Sequence, residues 1–216
     1  MRSLRANGII MITGLRFPIK KRELIPSGTK TGMSGSKQVS GLEKAGFHLV
    51  DTNVLLQKRI VNDDSVSNST ASRFARLDDQ DEVGRIATSN FLYSRFHLDP
   101  KISNDTANTI KGNWAMNYFT GKRGDAMVVS NIGKKLSGFL QLLYHDETMV
   151  IDLIAVDRAW RRKGVAEDMI NFAQNNLGSF THINVGTQVA NIPSMRFYEK
   201  LGFQIIEASY LFHYHK

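Results

Sequence analysis

The feature that most limits this chain is a strand, a basic turn and a helix in immediate succession. Val150-Ile151-Asp152-Leu153-Ile154-Ala155-Val156 is an apolar run of strand character, residues 157–163 form the turn, and Gly164-Val165-Ala166 opens a helix. Val165, Met169, Ile170, Ala173 and Leu177 recur on one face of that helix, and Gly178 stops it. A helix N-terminus has unpaired N–H groups and the positive end of the helix dipole, which makes it an anion site. The small residues Gly164 and Ala166 let a pyrophosphate approach the backbone, and Arg161, Arg162 and Lys163 add positive charge. The plain alternative is an ordinary connection with solvated basic residues. The coincidence of apolar strand, small residues, basic run and amphipathic helix favours a phosphate cradle.

The rest of the chain fits a mixed α/β (α+β) fold around that unit. Residues 62–72 are polar and serine-rich and read as a linker. They divide a small N-terminal domain, residues 1–68, from a larger one, residues 69–216. The small domain holds a helix-like segment at 42–45, a stop at Gly46 and a strand-like segment at 47–57. In the larger one, strands are expected at 73–77, 126–130, 136–144, 148–156, around Ile183 and Val185, and at 203–214. Helices are expected from Asp78 or Asp79 to about residue 91, and over 106–119, 165–177 and 192–201, the last with Asn191 as cap and Pro193 in its first turn. Glu43-Lys44-Ala45-Gly46-Phe47 is echoed by Glu199-Lys200-Leu201-Gly202-Phe203, each reading as a helix end, a left-handed glycine and an apolar residue packing back.

Composition removes several kinds of chemistry. There is no cysteine, so disulfides, thiolate metal sites and a cysteine nucleophile are excluded. The net charge of +8 is concentrated in residues 1–40, which carry eight Lys/Arg against Glu23 alone. Such an arm could touch acidic lipid or nucleic acid, but no aromatic or helical pattern organises its charges. It reads as a solvated, partly disordered leader, and no nucleic-acid partner is expected. No apolar run approaches the roughly 20 residues of a membrane span. Gly8-Ile9-Ile10-Met11-Ile12 is also short of a signal-peptide core of about 7–15 residues, so a cytoplasmic enzyme is expected. His213 and His215 face the same way on a strand. A metal needs further ligands that the sequence does not place, so strand-end solvation and no metal are expected.

Two motifs then carry a resemblance. Arg161-x-x-Gly164-x-Ala166 after a strand ending Ile154-Ala155-Val156 resembles the acetyl-CoA signature of the GNAT N-acetyltransferase superfamily. Asn191-Ile192-Pro193-Ser194-Met195-Arg196-Phe197-Tyr198-Glu199-Lys200-Leu201-Gly202-Phe203 resembles its second signature, in the right order and spacing. A narrower likeness rests on Gly186-Thr187-Gln188-Val189-Ala190-Asn191, Tyr93-Ser94-Arg95-Phe96-His97-Leu98-Asp99-Pro100 and Gly46-Phe47-His48-Leu49-Val50-Asp51-Thr52. These look like the nucleotide-sugar amino-group acetyltransferases, such as dTDP-fucosamine acetyltransferase. That enzyme is similar in placing a small, incomplete GNAT-like domain before the catalytic one.

The resemblance implies acetyl-CoA as co-substrate and a fold with a central, mostly antiparallel sheet flanked by helices. It implies that Ile154, Ala155 and Val156 pair through their backbone with the pantetheine arm. Arg161, Arg162, Lys163, Gly164, Val165 and Ala166 would hold the pyrophosphate, and Asn191 would touch the cofactor arm, cap its helix, or both. Tyr198 would protonate the departing thiolate as general acid, against the alternative of a packed core tyrosine. Asp152, placed by alternation on the face of Ile154 and Val156, is a candidate base; water or a merely paired carboxylate are the alternatives. Arg95, Phe96 and His97 would reach the acceptor, with Arg95 on a diphosphate and His97 on a sugar hydroxyl, although Phe96 also reads as core. The acceptor is a small-molecule amino sugar, nucleotide-linked, in polysaccharide biosynthesis; acetylation of a protein or peptide, or a non-catalytic CoA-binding module, are the other readings. A homodimer is common among similar enzymes.

Overall fold

The computed structural model describes the backbone of residues 2–6, 9–18, 34–60, 71–178 and 180–215, and side chains from residue 37 onward within those ranges. The linker expected at 62–72 and the boundary at 68/69 fall almost wholly outside them. Nine strands form one sheet in the order β1-β2-β9-β3-β8-β7-β6-β5-β4. Here β1 is Arg2–Ala6, β2 Ile9–Pro18, β3 His48–Arg59, β4 Ser72–Phe74, β5 Ala126–Ile132, β6 Lys135–His145, β7 Thr148–Val156, β8 His182–Gln188 and β9 Gln204–His215. Every neighbouring pair is antiparallel except β7 and β8.

Five helices cover the sheet: α1 Ser34–Lys44, α2 Gln80–Ser89, α3 Asn104–Met116, α4 Val165–Asn176 and α5 Ile192–Lys200. Alternation along β5 shows two packed faces. Val128 joins Leu140, Met169, Ile170 and Tyr198 on the α4–α5 side. Met127 and Val129 join Ile86, Phe139 and Ala115 on the α2–α3 side. Full burial of one such aliphatic side chain stabilises by about 1.5–3 kcal/mol. Gly112 explains how closely α2 and α3 approach, since a Cβ there would stand 2.5 Å from the Thr88 methyl.

The leader differs from expectation. Ile9–Pro18 is not loose but pairs with β9 from Ile9↔His215 to Pro18↔Glu207, and β1 pairs with it in turn. Ile9, Ile10, Met11 and Ile12 of the apolar run all lie in β2.

The echoed motifs fold alike. Gly46 and Gly202 both take left-handed backbone, with φ of 85° and 84°. Phe47 and Phe203 each donate their N–H back to a helix carbonyl at 3.0 Å, that of Leu42 and that of Tyr198. The strands that follow, β3 and β9, lie side by side, and β3 separates β9 from β8.

Candidate active site

The sheet opens at β7. Its parallel pairing with β8 runs from Thr148↔His182 to Ile151↔Val185 and then stops. Pairing with β6 on the other side continues to Gly138↔Val156. Beyond Ile151, one edge of β7 therefore has no strand partner among the described residues. Asp152 is the extra residue of a β-bulge, because Leu142 pairs with Ile151 and Gln141 with Leu153.

That bulge changes which way the side chains point. Met149 and Ile151 pack into the α4–α5 cluster, and so do Ile154 and Val156. Leu153 and Ala155 pack into the α2–α3 cluster. Asp152 reaches Trp114 of α3, so it does not share a face with Ile154 and Val156 as simple alternation required. The bulge resets the parity within the run.

Past Val156 the chain turns sharply. Asp157 accepts from the Ala159 N–H at 3.1 Å and pairs with Arg85 at 2.9 Å, and these contacts hold its carboxyl below the ordinary value. Arg161 folds back to donate to the Val156 carbonyl at 3.1 Å and to Asn90 at 3.1 and 3.0 Å. Lys163 lies over the Trp160 ring at 4.5 Å. Arg162 and Gly164 have φ of 61° and 81°. The first helix amide bonded back is that of Asp168, to the Gly164 carbonyl at 2.9 Å. Gly164 supplies no side-chain cap, so the N–H groups of Val165, Ala166 and Glu167 have no acceptor within the helix.

Asn191 caps α5, accepting from the Ser194 N–H at 3.3 Å and donating to Thr187 of β8 at 3.3 Å. Tyr198 is 3% exposed and lies between Phe197 and Phe203, with ring centroids 5.2 and 5.3 Å away. Burial pushes its phenol well above the ordinary value, so it holds its proton.

Asp152 is already fully engaged. It takes Arg123 bidentately at 2.7 and 2.6 Å, and Trp114 Nε1 and Gln141 Nε2 at 3.0 Å each. Three donors converge on Oδ2 and one on Oδ1, so the arrangement fits a paired carboxylate and not a free base. Trp114, Arg123 and Gln141 were not singled out from sequence.

The segment between α2 and α3 is fixed from within. His97 spends both ring nitrogens, on Ser94 Oγ at 2.6 Å and Asn108 Oδ1 at 2.9 Å, which leaves none for a sugar hydroxyl. Phe96 is core, 2% exposed beside Ile102 and Ala107. Arg95 alone of the three keeps its donors, with its guanidinium 5.0 Å over Phe96 and 5.9 Å from Trp114.

Asp99 ties this segment to the sheet. It meets His213 Nδ1 at 2.5 Å, His215 Nε2 at 2.8 Å and the Lys101 N–H at 2.9 Å. His48 Nε2 stands 3.5 Å away. Burial alone would raise the Asp99 carboxyl, but these bonds hold it at about 2. Burial lowers His213 despite the carboxylate beside it. His213 is thus buried and paired, where sequence suggested strand-end solvation; Asp99 closes over the strand from 114 residues away.

Residues 92–203 match the model of the acetyltransferase (GNAT) family. Over 137 residues the chain is 29% identical to the spore coat polysaccharide biosynthesis protein SpsD of Bacillus subtilis (strain 168). The alignment takes in 62% of this chain and 47% of that protein, so the chain spans about half the length of this curated relative. A functionally unknown conserved protein from Staphylococcus epidermidis ATCC 12228 superposes with a TM-score of 0.60 at 12% identity, over 93% of this chain and 72% of that one. A tandem GNAT protein from the clavulanic acid biosynthesis pathway gives 0.55 at 10% identity, over 95% and 62%. At these identities the structural likeness is one of fold.

Proposed function

The chain belongs to the acetyltransferase (GNAT) family, and from that membership we propose that it moves an acetyl group from acetyl-CoA to the amine of a nucleotide-linked amino sugar. One observation carries the cofactor side: the unpartnered β7 edge past Ile151 runs straight into a left-handed turn and an uncapped helix N-terminus. An amide-bearing arm can add to such an edge as a further strand. A pyrophosphate suits the free N–H groups at 165–167, with Arg162 and Lys163 beside it. Arg161 has a positioning role in this reading, since it braces Val156 and Asn90. The acceptor side draws its support from the relative named for polysaccharide biosynthesis and from Arg95.

The amine attacks the thioester carbonyl directly, carbon–nitrogen bond formation preceding loss of the thiolate. Backbone donors at the open edge stabilise the oxyanion. Tyr198, kept protonated by its apolar surroundings, gives its proton to the sulfur. The amine's own proton leaves to water, because the oxygens of Asp152 are taken. Residues 1–68 in this reading form a small unit that lends β3 to the sheet of residues 69–216.

The test is a panel of TDP- and UDP-amino sugars with acetyl-CoA, following released thiol. The chain has no cysteine, so a thiol reagent reads CoA alone. Thiol release with at least one sugar is expected. Release with peptide amines and with none of the sugars would move the assignment to protein acetylation.

A further inference from the structure

Three cations gather around one indole. Lys111 Nζ lies 4.5 Å over the Trp114 ring and 4.9 Å over that of Phe91. Arg123 Cζ lies 4.9 Å over the same indole, and Arg95 Cζ 5.9 Å from it. Asp152 is the one carboxylate in the group, and Arg123 already holds both its oxygens. Arg95 and Lys111 make no hydrogen bond or ion pair with any described residue.

We propose that Arg95, Lys111 and Arg123, set around Trp114, are the binding site for a dianionic phosphate or diphosphate group of the acceptor. This rests on the acetyltransferase reading and names the chemistry of its substrate. Lys111 is buried and Arg95 half-buried, and the nearest carboxylate, Asp152, is held by Arg123, so an arriving anion lowers the cost of keeping them charged. With Lys111 protonated the local balance is three positive charges against one, so a phosphate of charge about −2 neutralises it and a carboxylate does not. The ring faces take the cations from the side, which leaves the donors of Arg95 and Lys111 for oxygen, while Arg123 keeps its Nε and Nη2 on Asp152. Arg123, with 39% of its side chain exposed, marks the open side. The site adjoins the β7 bulge at Asp152, two residues before Ile154, where the cofactor arm would begin to pair.

Lys111 gives the site a protonation signature. It is faced by Arg95 from the loop after α2, Arg123 from the loop before β5 and Asp152 from β7. Burial first, then the two arginines, bring its ammonium down to about 7, with Asp152 opposing. A bound phosphate reverses those influences, so at pH 8 binding takes up a proton. In the empty protein the signs run the other way. Between pH 7 and the ordinary 10.5 the unfolded chain holds a proton that the folded chain has lost, so stability rises with pH. Below pH 7 the full cost of the buried charge is present.

The experiment is calorimetric titration of the full chain, saturated with CoA so that the turn at 161–166 is filled, using pyrophosphate, TDP, inorganic phosphate and acetate in buffers of different ionisation enthalpy. Pyrophosphate and TDP are expected to bind and acetate not to. Tighter binding of TDP than of pyrophosphate marks a nucleotide-borne diphosphate, and the best binding by inorganic phosphate marks a monophosphate. Lys111→Met and Arg95→Met should each weaken pyrophosphate by about tenfold or more. Lys111→Arg should keep binding but lose proton uptake. Lys111→Met should also melt higher than wild type at pH 6, by roughly 2–4 °C, which a misfolded variant cannot do. Equal pyrophosphate affinity in wild type and both Met variants overturns the site, as does no binding at millimolar concentration. Full turnover of an uncharged amino sugar without pyrophosphate binding would sink this proposal alone. Pyrophosphate binding with no acetylated amine would sink the enzyme reading instead.

Discussion

The two flanks of β7 present different kinds of group. Toward α4 the available groups are main-chain amides: a free strand edge, a turn with two left-handed residues and the first N–H groups of a helix. Toward α3 they are side chains from four separate stretches, Arg95, Lys111 with Trp114, Arg123 and Asp152. Amides depend on backbone path and tolerate most side chains. A side-chain cluster depends on each residue. The same nine-residue strand serves both because a single bulged residue, Asp152, turns toward one flank while Ile154 and Val156 turn toward the other.

The sharpest test of the division is Tyr198→Phe, which should cut turnover by roughly 10²–10⁴-fold and leave pyrophosphate affinity unchanged. A fall in both would mean that the flanks are not independent. Next comes Asp152→Asn. It strands Arg123 against Trp114, and about 2 kcal/mol of stability should be lost in denaturant melts, less than for a fully buried pair because Arg123 is part exposed. The same change removes the competing carboxylate, so pyrophosphate should bind more tightly. A pH-dependent collapse of turnover with stability intact would return Asp152 to the role of base.

Gly164→Val forces a branched residue to φ of 81° at about 1–2 kcal/mol of strain. It should raise the KM for acetyl-CoA about tenfold and leave the Lys111-dependent proton uptake on pyrophosphate binding unchanged. The smallest effect at neutral pH concerns the Asp99 tie. The folded carboxyl sits at about 2 against an ordinary 3.8, so its contribution is complete above 3.8 and vanishes as pH falls to about 2. His213 acts earlier: its folded value lies below the ordinary 6.5, so the unfolded chain gains its proton first and stability declines from there downward. Acid melts of Asp99→Asn should lack the lower step.

What could be read from sequence follows the same line. Residues 161–166 announce an amide-built site because glycine, alanine and basic residues cluster in a few positions. The element order after residue 72 was legible too, whereas β1 and β2 were not, because the scattered basic residues around them read as a solvated leader. The bulge was not, because Val150–Val156 contains no glycine and looks uniform. Phe96 and His97 were singled out with Arg95, but spacing could not tell which of the three keeps a free donor. Lys111 did leave a signal. It lies on the α3 face between Ala107 and Ala115, where only apolar residues are expected, and a lysine at such a position marks a charge held inside. Arg123 and Gln141 left none, because only the tertiary fold brings them to Asp152.

The insertion of β3 between β8 and β9 bears on how the chain is made. On the ribosome β3 emerges long before either of its partners, and β9 is the last strand of the sheet. Val54 and Leu56, 4% and 0% exposed when folded, must wait through more than a hundred residues of synthesis with nothing to pack against. Such long-range pairing slows folding and leaves apolar strands open to wrong partners. Chaperone demand, and loss of yield on truncation before β9, should therefore be greater for this protein than its size suggests.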